Sequence, residues 1–140
     1  MTDDAPKIIP AGRALDDRGV LTFCNDFRIE EVRRVYFVEN HRQGFVRAWH
    51  GHVKCDTFLW PVVGRWKCCA ARLISSSLER YHLDSGSILH VPAGWYHGTQ
   101  NLSAGASLAV FSTATIEQVR ADDLWLAWDW WPGVWEERPR

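Results

Sequence analysis

Apolar residues recur along this chain in short runs, seldom with helical spacing, and the runs are bounded by residues that favour turns. Stretches rich in Val, Phe, Trp, Tyr and Leu predict strands over residues 20–24, 33–38, 44–50, 57–63, 65–74, 78–83, 86–91 and 106–112. Clusters of Gly, Asn, Asp, Ser and Pro predict turns at 39–43, 64, 75–77, 84–86, 92–94 and 102–105. One short helix is expected over 115–120, with Thr115 as its cap. Pro61 falls inside a strand, where a missing amide donor calls for an edge position or a bulge. Many short strands at this spacing predict an all-β sandwich or barrel. Neither an internal repeat nor a linker interrupts the pattern.

The 140 residues make one domain, large enough to build a core without a metal or disulfide staple. A hydrophobic share of 46% with 24% charged residues is that of an ordinary globular chain. A net charge of −1, with no Lys/Arg run, argues against a nucleic-acid or acidic-membrane partner. No apolar stretch reaches the ~20 residues of a membrane span, and the acidic start Met1-Thr2-Asp3-Asp4 has no secretory h-region, so a cytoplasmic protein is expected. Cys68 and Cys69 are neighbours on a strand and must point to opposite faces, and Cys24 and Cys55 form no C-x-x-C pair with them. Buried free thiols are the expectation. Nine tryptophans are many for this length, and Trp125, Trp128, Trp130, Trp131 and Trp135 crowd the end of the chain. They are expected to pack that end onto the domain or a second subunit, or else to offer a stacking surface to a ligand.

Two segments hold the candidate chemistry. In Gly44-Phe-Val-Arg-Ala-Trp-His50-Gly-His52-Val-Lys54-Cys-Asp56, strand alternation puts Val46, Ala48, His50, His52 and Lys54 on one face. In Gly86-Ser-Ile-Leu-His-Val-Pro92-Ala-Gly94-Trp-Tyr-His97-Gly-Thr-Gln100-Asn101, a strand ends in a Pro-Ala-Gly turn that throws His97 sideways. His41, His82 and His90 are expected to be packed or solvated.

These segments match the two signatures of the cupins, G-x5-H-x-H-x3,4-E and G-x5-P-x-G-x2-H-x3-N, with Asp56 standing where the first has Glu. The chain is therefore similar to the cupins, which implies a single jelly-roll domain over 1–140, with the barrel from about 16 to 113 and the tryptophan-rich tail from about 114 to 140. More of it resembles the sugar-nucleotide enzymes within that group. Asp16-Asp17-Arg18-Gly19 resembles the D-x-R-G opening of dTDP-4-dehydrorhamnose 3,5-epimerases and dTDP-4-keto-6-deoxyglucose 3,4-ketoisomerases. Arg34-Val35-Tyr36 and Arg47-Ala48-Trp49-His50-Gly51-His52 resemble ketoisomerase strands, and the stretch from Pro92 to Leu102 resembles the epimerases' P-x-G-x-x-H-G-x-Q-x-L. The sequence departs from the epimerases in having Thr113-Ala114-Thr115 near their catalytic Tyr, and from the ketoisomerases in having Cys55-Asp56-Thr57 near their Gln.

The resemblance implies an isomerase, an epimerase or 3,4-ketoisomerase acting on a nucleotide-activated 4-keto-6-deoxy sugar, without a cofactor and as a homodimer. An imidazole titrates near neutrality and suits removal of a proton made acidic by a neighbouring carbonyl, while the resulting enolate needs a donor at its oxygen. His50 is the expected base, with His52, His97 and Lys54 placed to hold or reprotonate the enolate and Tyr36, ahead of Tyr96, as the phenolic acid. Arg18 and Arg47 suit diphosphate oxygens or sugar hydroxyls, and Trp95 and Gln100 complete the substrate-binding set. Simple alternation puts Arg47 opposite His50, so only a bulge or strand edge would bring both to one ligand. Two rival readings use the same residues. His50, His52, Asp56 and His97 make a three-histidine, one-carboxylate set for a divalent metal, and a non-catalytic sugar-binding cupin would keep the pocket alone.

Overall fold

A computed structural model describes residues 4–75 and 77–135. Ser76, in the turn expected at 75–77, and the last five residues of the tail lie outside the described residues. Twelve strands are described: β1 (Lys7–Pro10), β2 (Gly12–Asp16), β3 (Gly19–Phe23), β4 (Arg34–Glu39), β5 (Val46–His52), β6 (Thr57–Val63), β7 (Trp66–Arg72), β8 (Leu78–Leu83), β9 (Ser87–Val91), β10 (Trp95–Asn101), β11 (Ser107–Ser112) and β12 (Leu124–Trp125). A 3-10 turn at Ile29–Glu31 and the helix α1 (Ile116–Arg120) complete the set. The all-β expectation is met. Thr115 caps α1 as expected: its hydroxyl accepts from Gln118 N while Gln118 Oε1 accepts from Thr115 N, a reciprocal pair that satisfies two otherwise orphaned donors.

Two five-stranded antiparallel sheets face each other, in the orders β1-β9-β6-β11-β4 and β12-β5-β10-β7-β8. Between β4 and β11 the chain repeatedly crosses from one sheet to the other, in jelly-roll fashion. Leu59, Trp66, Cys68, Ala70, Leu89, Trp95, Leu108 and Val110 fill the space between the sheets. The outer face of the second sheet is buried as well. There Trp49, Cys69 and Ala71 are covered by Val134 and Trp135, with Leu126 and Trp131 packed alongside. Cys68 and Cys69 thus point to opposite faces and are both fully buried, because the returning tail makes the outer face a second core. All four cysteines are free thiols.

Three differences from the sequence reading position the site. First, His97 is not thrown aside by the turn: β10 begins at Trp95, runs between β5 and β7, and pairs His97 directly with His50. Gly98 hid this strand from a propensity reading, yet glycine is required there, since a Cβ would lie 2.6 Å from both Ala48 Cβ and Trp135 Cζ2. Secondly, the β5–β10 register shifts between His97 and Thr99: His50 faces His97 while Arg47 faces Thr99, so β5 carries one extra residue. That bulge reverses the alternation. Arg47 joins the His50 face, while Val46 and Ala48, expected beside His50, pack with Trp49 on the outer cluster. Thirdly, β1 pairs with β9 ahead of the expected barrel start. Pro61 sits beside a register shift in the β6–β11 ladder and beyond the part of β6 that pairs with β9, which meets both of its expected requirements. Among the described residues the β2–β3 hairpin pairs only with itself.

Candidate active site

His50 and His52 project from the same face of β5, and His97 from the facing position of β10. Their ring centroids stand 4.5 Å (His50–His52), 5.6 Å (His50–His97) and 6.3 Å (His52–His97) apart. A cavity of about 580 Å3 opens over His50 and His97. Its floor is apolar, from Val38, Leu59, Leu108 and Val110. Its rim carries Arg34, Arg47 and Arg120 together with Tyr36, Asp123, Trp125 and Trp128.

The tail supplies what the motifs did not reveal. After α1 the chain returns as β12, pairing Trp125 with His50 and Leu124 with Gly51. This brings Asp123 Oδ1 to 2.7 Å from His50 Nε2 and lays the Trp125 indole parallel to the imidazole, 4.0 Å away with 8° between planes. Asp122 is buried and ties the same segment to the end of β5. Its carboxylate accepts from Val53 N (3.1 Å) and Lys54 N (2.8 Å), and its carbonyl stands 3.2 Å from His52 Nδ1. The only sequence signal for these residues was an Asp-Asp-Leu-Trp run just beyond the predicted helix.

The three imidazoles are not equivalent. Burial, followed by the neighbouring His50 and His52, pushes His97 down to about 3, so it is neutral at physiological pH. His52 is also held below the ordinary imidazole value, chiefly by burial and then by His50. His50 is the member of the trio with a carboxylate at hydrogen-bond distance, while Asp123 stands 3.8 Å from His52 Nδ1. Tyr36 is raised by burial against the opposing pull of Arg34, whose guanidinium lies 4.5 Å over its ring, so the phenol keeps its proton.

The structure gathers His50, His52, His97, Tyr36 and Arg47 and leaves the other expected residues elsewhere. Lys54 lies past the end of β5 and lines a separate cavity with Cys55, Thr113 and Asp122, because the backbone turns at Val53 to meet the Asp122 carboxylate. Arg18 is in the exposed β2–β3 turn, paired with Asp16 at 2.5 Å. Trp95 is core, its indole donating to Asp4 O at 3.0 Å. Gln100 points to the other face and donates to Gly44 O at 3.0 Å. Tyr96, also on that face, borders a groove with Leu126, Trp130 and Trp131. Asp56 does not join the histidines: its oxygens accept from His90 Nε2 (2.8 Å) and Ala93 N (2.9 Å). The expected three-histidine, one-carboxylate set is thereby corrected to three imidazoles, one nitrogen of each lying within 4.8 Å of the others. His90, expected to be packed or solvated, is held by Asp56 and stacked on Phe58.

Comparison with known proteins identifies the fold and the family. The structure is similar to the sugar 3,4-ketoisomerase QdtA from Thermoanaerobacterium thermosaccharolyticum, solved in complex with TDP (TM-score 0.69, 17% identity, 85% of this chain and 86% of that one). It is similar to a dTDP sugar isomerase from Desulfovibrio desulfuricans G20 (TM-score 0.77, 16% identity, 91% and 87%). It also resembles the dTDP-6-deoxy-D-glucose-3,5-epimerase RmlC from Legionella pneumophila Philadelphia 1, in complex with dTDP-4-keto-L-rhamnose (TM-score 0.71, 21% identity, 86% and 72%). At these identities the likeness establishes the fold, the cupin jelly roll. A search of curated proteins finds no match. The family model described as FdtA: WxcM-like, C-terminal, matches residues 4–120, strands β1 to β11 and helix α1 but not Asp122, Asp123, β12 or the tryptophans of the tail. With that match over most of its length, the chain belongs to the FdtA, WxcM-like C-terminal family.

Proposed function

We propose that this protein is an isomerase that epimerises or 3,4-ketoisomerises a nucleotide-activated 4-keto-6-deoxy sugar by histidine-mediated proton transfer. The observation that carries the reading is the His50–Asp123 pair opening onto a cavity that the neutral His97 imidazole also lines and that is rimmed by guanidiniums. The similar structures support the substrate class, since the ketoisomerase was solved with TDP and the epimerase with dTDP-4-keto-L-rhamnose.

The chemistry follows from the placement. In the tautomer that donates from Nε2 to Asp123, the lone pair on His50 Nδ1 is free to take the proton on C3 or C5, acidified by the C4 carbonyl. Asp123 then faces an imidazolium and stabilises it. His52 and His97 add no competing charge beside it. As a neutral ring on the cavity wall, His97 donates a hydrogen bond to the enolate oxygen, where developing charge needs it, whereas neutral His52 gives its one N–H to Asp122 O. Tyr36, protonated and on the cavity wall, is the acid. Return of the proton to the opposite face of the same carbon completes an epimerisation. Delivery to C4, as the C3 hydroxyl loses its proton to become the ketone, completes a 3,4-ketoisomerisation. Arg34, Arg47 and Arg120 suit the diphosphate, and the apolar floor suits a C6 methyl.

A homodimer is part of this proposal. Leu15, Val20 and Leu21 on the β2–β3 hairpin are 77%, 60% and 64% exposed, and Phe37 on the edge strand β4 is 67% exposed. A second copy would cover these apolar surfaces, and the hairpin would carry Arg18 into the interface. Light scattering giving twice the chain mass is the expected result. Among the described residues no helix is long and apolar enough to cross a membrane.

The test is proton NMR of the metal-stripped protein with dTDP-4-keto-6-deoxyglucose in D2O. Deuterium is expected at C3 or C5 for an epimerisation, or at C4 of the product for a 3,4-ketoisomerisation, and the product's couplings distinguish the two reactions. The trio of imidazoles favours one rival reading, a metal site. Exchange that requires stoichiometric added metal would establish that rival instead.

A further inference from the structure

The loop over residues 40–45, between β4 and β5, is tied to β10 by a chain of side-chain amides. Asn101, 2% exposed, donates from Nδ2 to Arg42 O at 3.0 Å, which turns its Oδ1 toward Asn40. Asn40 Nδ2 donates to that oxygen at 2.8 Å and to Phe45 O at 3.2 Å. Both contacts are to acceptors, so the Asn40 amide has one allowed orientation: flipped, its carbonyl would face two oxygens. Its Oδ1 therefore points outward, where it accepts from Arg47 Nε at 2.7 Å. Backbone bonds fix the same loop, with Gly44 N donating to Asn101 O at 2.9 Å and Gln100 Nε2 to Gly44 O at 3.0 Å.

The result is a guanidinium held at its inner nitrogen and flanked by the Phe45 ring, 5.8 Å from its centroid. Because the bulge in β5 turns Arg47 to the His50 face, the terminal nitrogens border the cavity. Among the described residues Arg47 has no carboxylate partner within ion-pair distance, so these two donors are available to a planar or tetrahedral oxyanion.

We propose that Asn40 is a positioning residue, oriented by Asn101, that fixes the Arg47 guanidinium so that its terminal nitrogens grip the diphosphate of the bound nucleotide sugar. The proposal rests on the reading of the cavity as a nucleotide-sugar site. Asn40 touches no substrate. It limits the rotation of a long side chain that would otherwise lose considerable freedom on binding. Arg34 and Arg120 share the rim, so the effect is on affinity and is moderate.

The experiment is calorimetric titration of the native protein, Asn40→Ala, Arg47→Ala and the double variant with thymidine diphosphate and, separately, with thymidine. Asn40→Ala should weaken thymidine diphosphate about three- to tenfold, the scale of one hydrogen bond, and leave thymidine affinity within about twofold. The double variant should bind no more weakly than Arg47→Ala alone, because the two side chains act as one unit. Turnover at saturating sugar nucleotide should be unchanged while KM rises. Asn40→Ser, which keeps a polar group but falls short of Nε, should repeat the pattern and serves if the alanine variant folds poorly. Equal losses for thymidine and thymidine diphosphate would overturn the proposal by making Asn40 a support of loop shape only. Losses that multiply in the double variant would overturn it by separating Asn40 from Arg47. A native protein with no affinity for thymidine diphosphate would instead overturn the reading of the cavity.

Discussion

The molecule contains two imidazole–carboxylate pairs of nearly equal length with different surroundings. His50–Asp123 (2.7 Å) borders a cavity of about 580 Å3, has two neutral imidazoles beside it and a tryptophan stacked on one face. His90–Asp56 (2.8 Å) is closed on itself: Phe58 stacks on the ring, and the second carboxylate oxygen accepts from Ala93 N. The His90 bond is the first cause of the lowered Asp56 carboxyl, which marks a satisfied structural pair. The comparison teaches that a histidine beside an acid is not in itself a catalytic unit. What distinguishes the two is whether a reactant can reach the imidazole and whether neighbouring groups can hold the charge that moves.

The largest effect should separate the two carboxylates. Asp123→Asn should slow deuterium exchange at the sugar by about 10²–10³-fold with substrate affinity nearly unchanged, because the imidazolium loses its counter-charge. Asp56→Ala should instead leave exchange within a fewfold of native and lower stability by about 1–3 kcal/mol, through two buried donors left without an acceptor. Chemical denaturation of both variants checks the contrast.

A second contrast lies in pH. His97 is buried and neutral with its folded value depressed, so the stability it contributes is present above the unfolded imidazole value of about 6.5 and is lost as pH falls toward 3. His52 shifts in the same direction. Stability should therefore fall by up to about 1.4 kcal/mol per pH unit for each such group below pH 6.5. His97→Gln should show a shallower fall, measured as Tm against pH. The smallest effect should come from the rim: Trp125→Leu should reduce exchange only severalfold, since it removes a face-on contact to His50 but no proton partner.

Much of the fold was legible because the relevant signals were local. Alternation and turn residues located β4, β6, β8 and β11 closely, and Thr115 with Gln118 announced the start of α1. β1 and β10 were missed for physical reasons. Lys7-Ile-Ile-Pro10 is too short to show alternation, and β10 follows a Pro-x-Gly turn and contains a glycine that packing, not propensity, demands. The histidines were legible through their joint spacing. Asp123 was not, because its place beside His50 depends on β12 closing against β5, a contact between residues 73 apart in sequence. Arg47 was placed beside His50 only on condition of a bulge or strand edge, and nothing in the local sequence announces the bulge that is there. The tail divides the same way: Trp131 and Trp135 pack against Trp49, as the end of a chain does, while Trp125 and Trp128 wall the cavity.

The most direct test is deuterium wash-in at sugar C3, C4 and C5, measured by proton NMR with dTDP-4-keto-6-deoxyglucose for the native protein, His50→Asn and His90→Asn side by side. The account predicts exchange in the native protein and in His90→Asn, and loss of exchange in a folded His50→Asn that still binds the nucleotide. Exchange retained in His50→Asn, or lost equally in a folded His90→Asn, would contradict it.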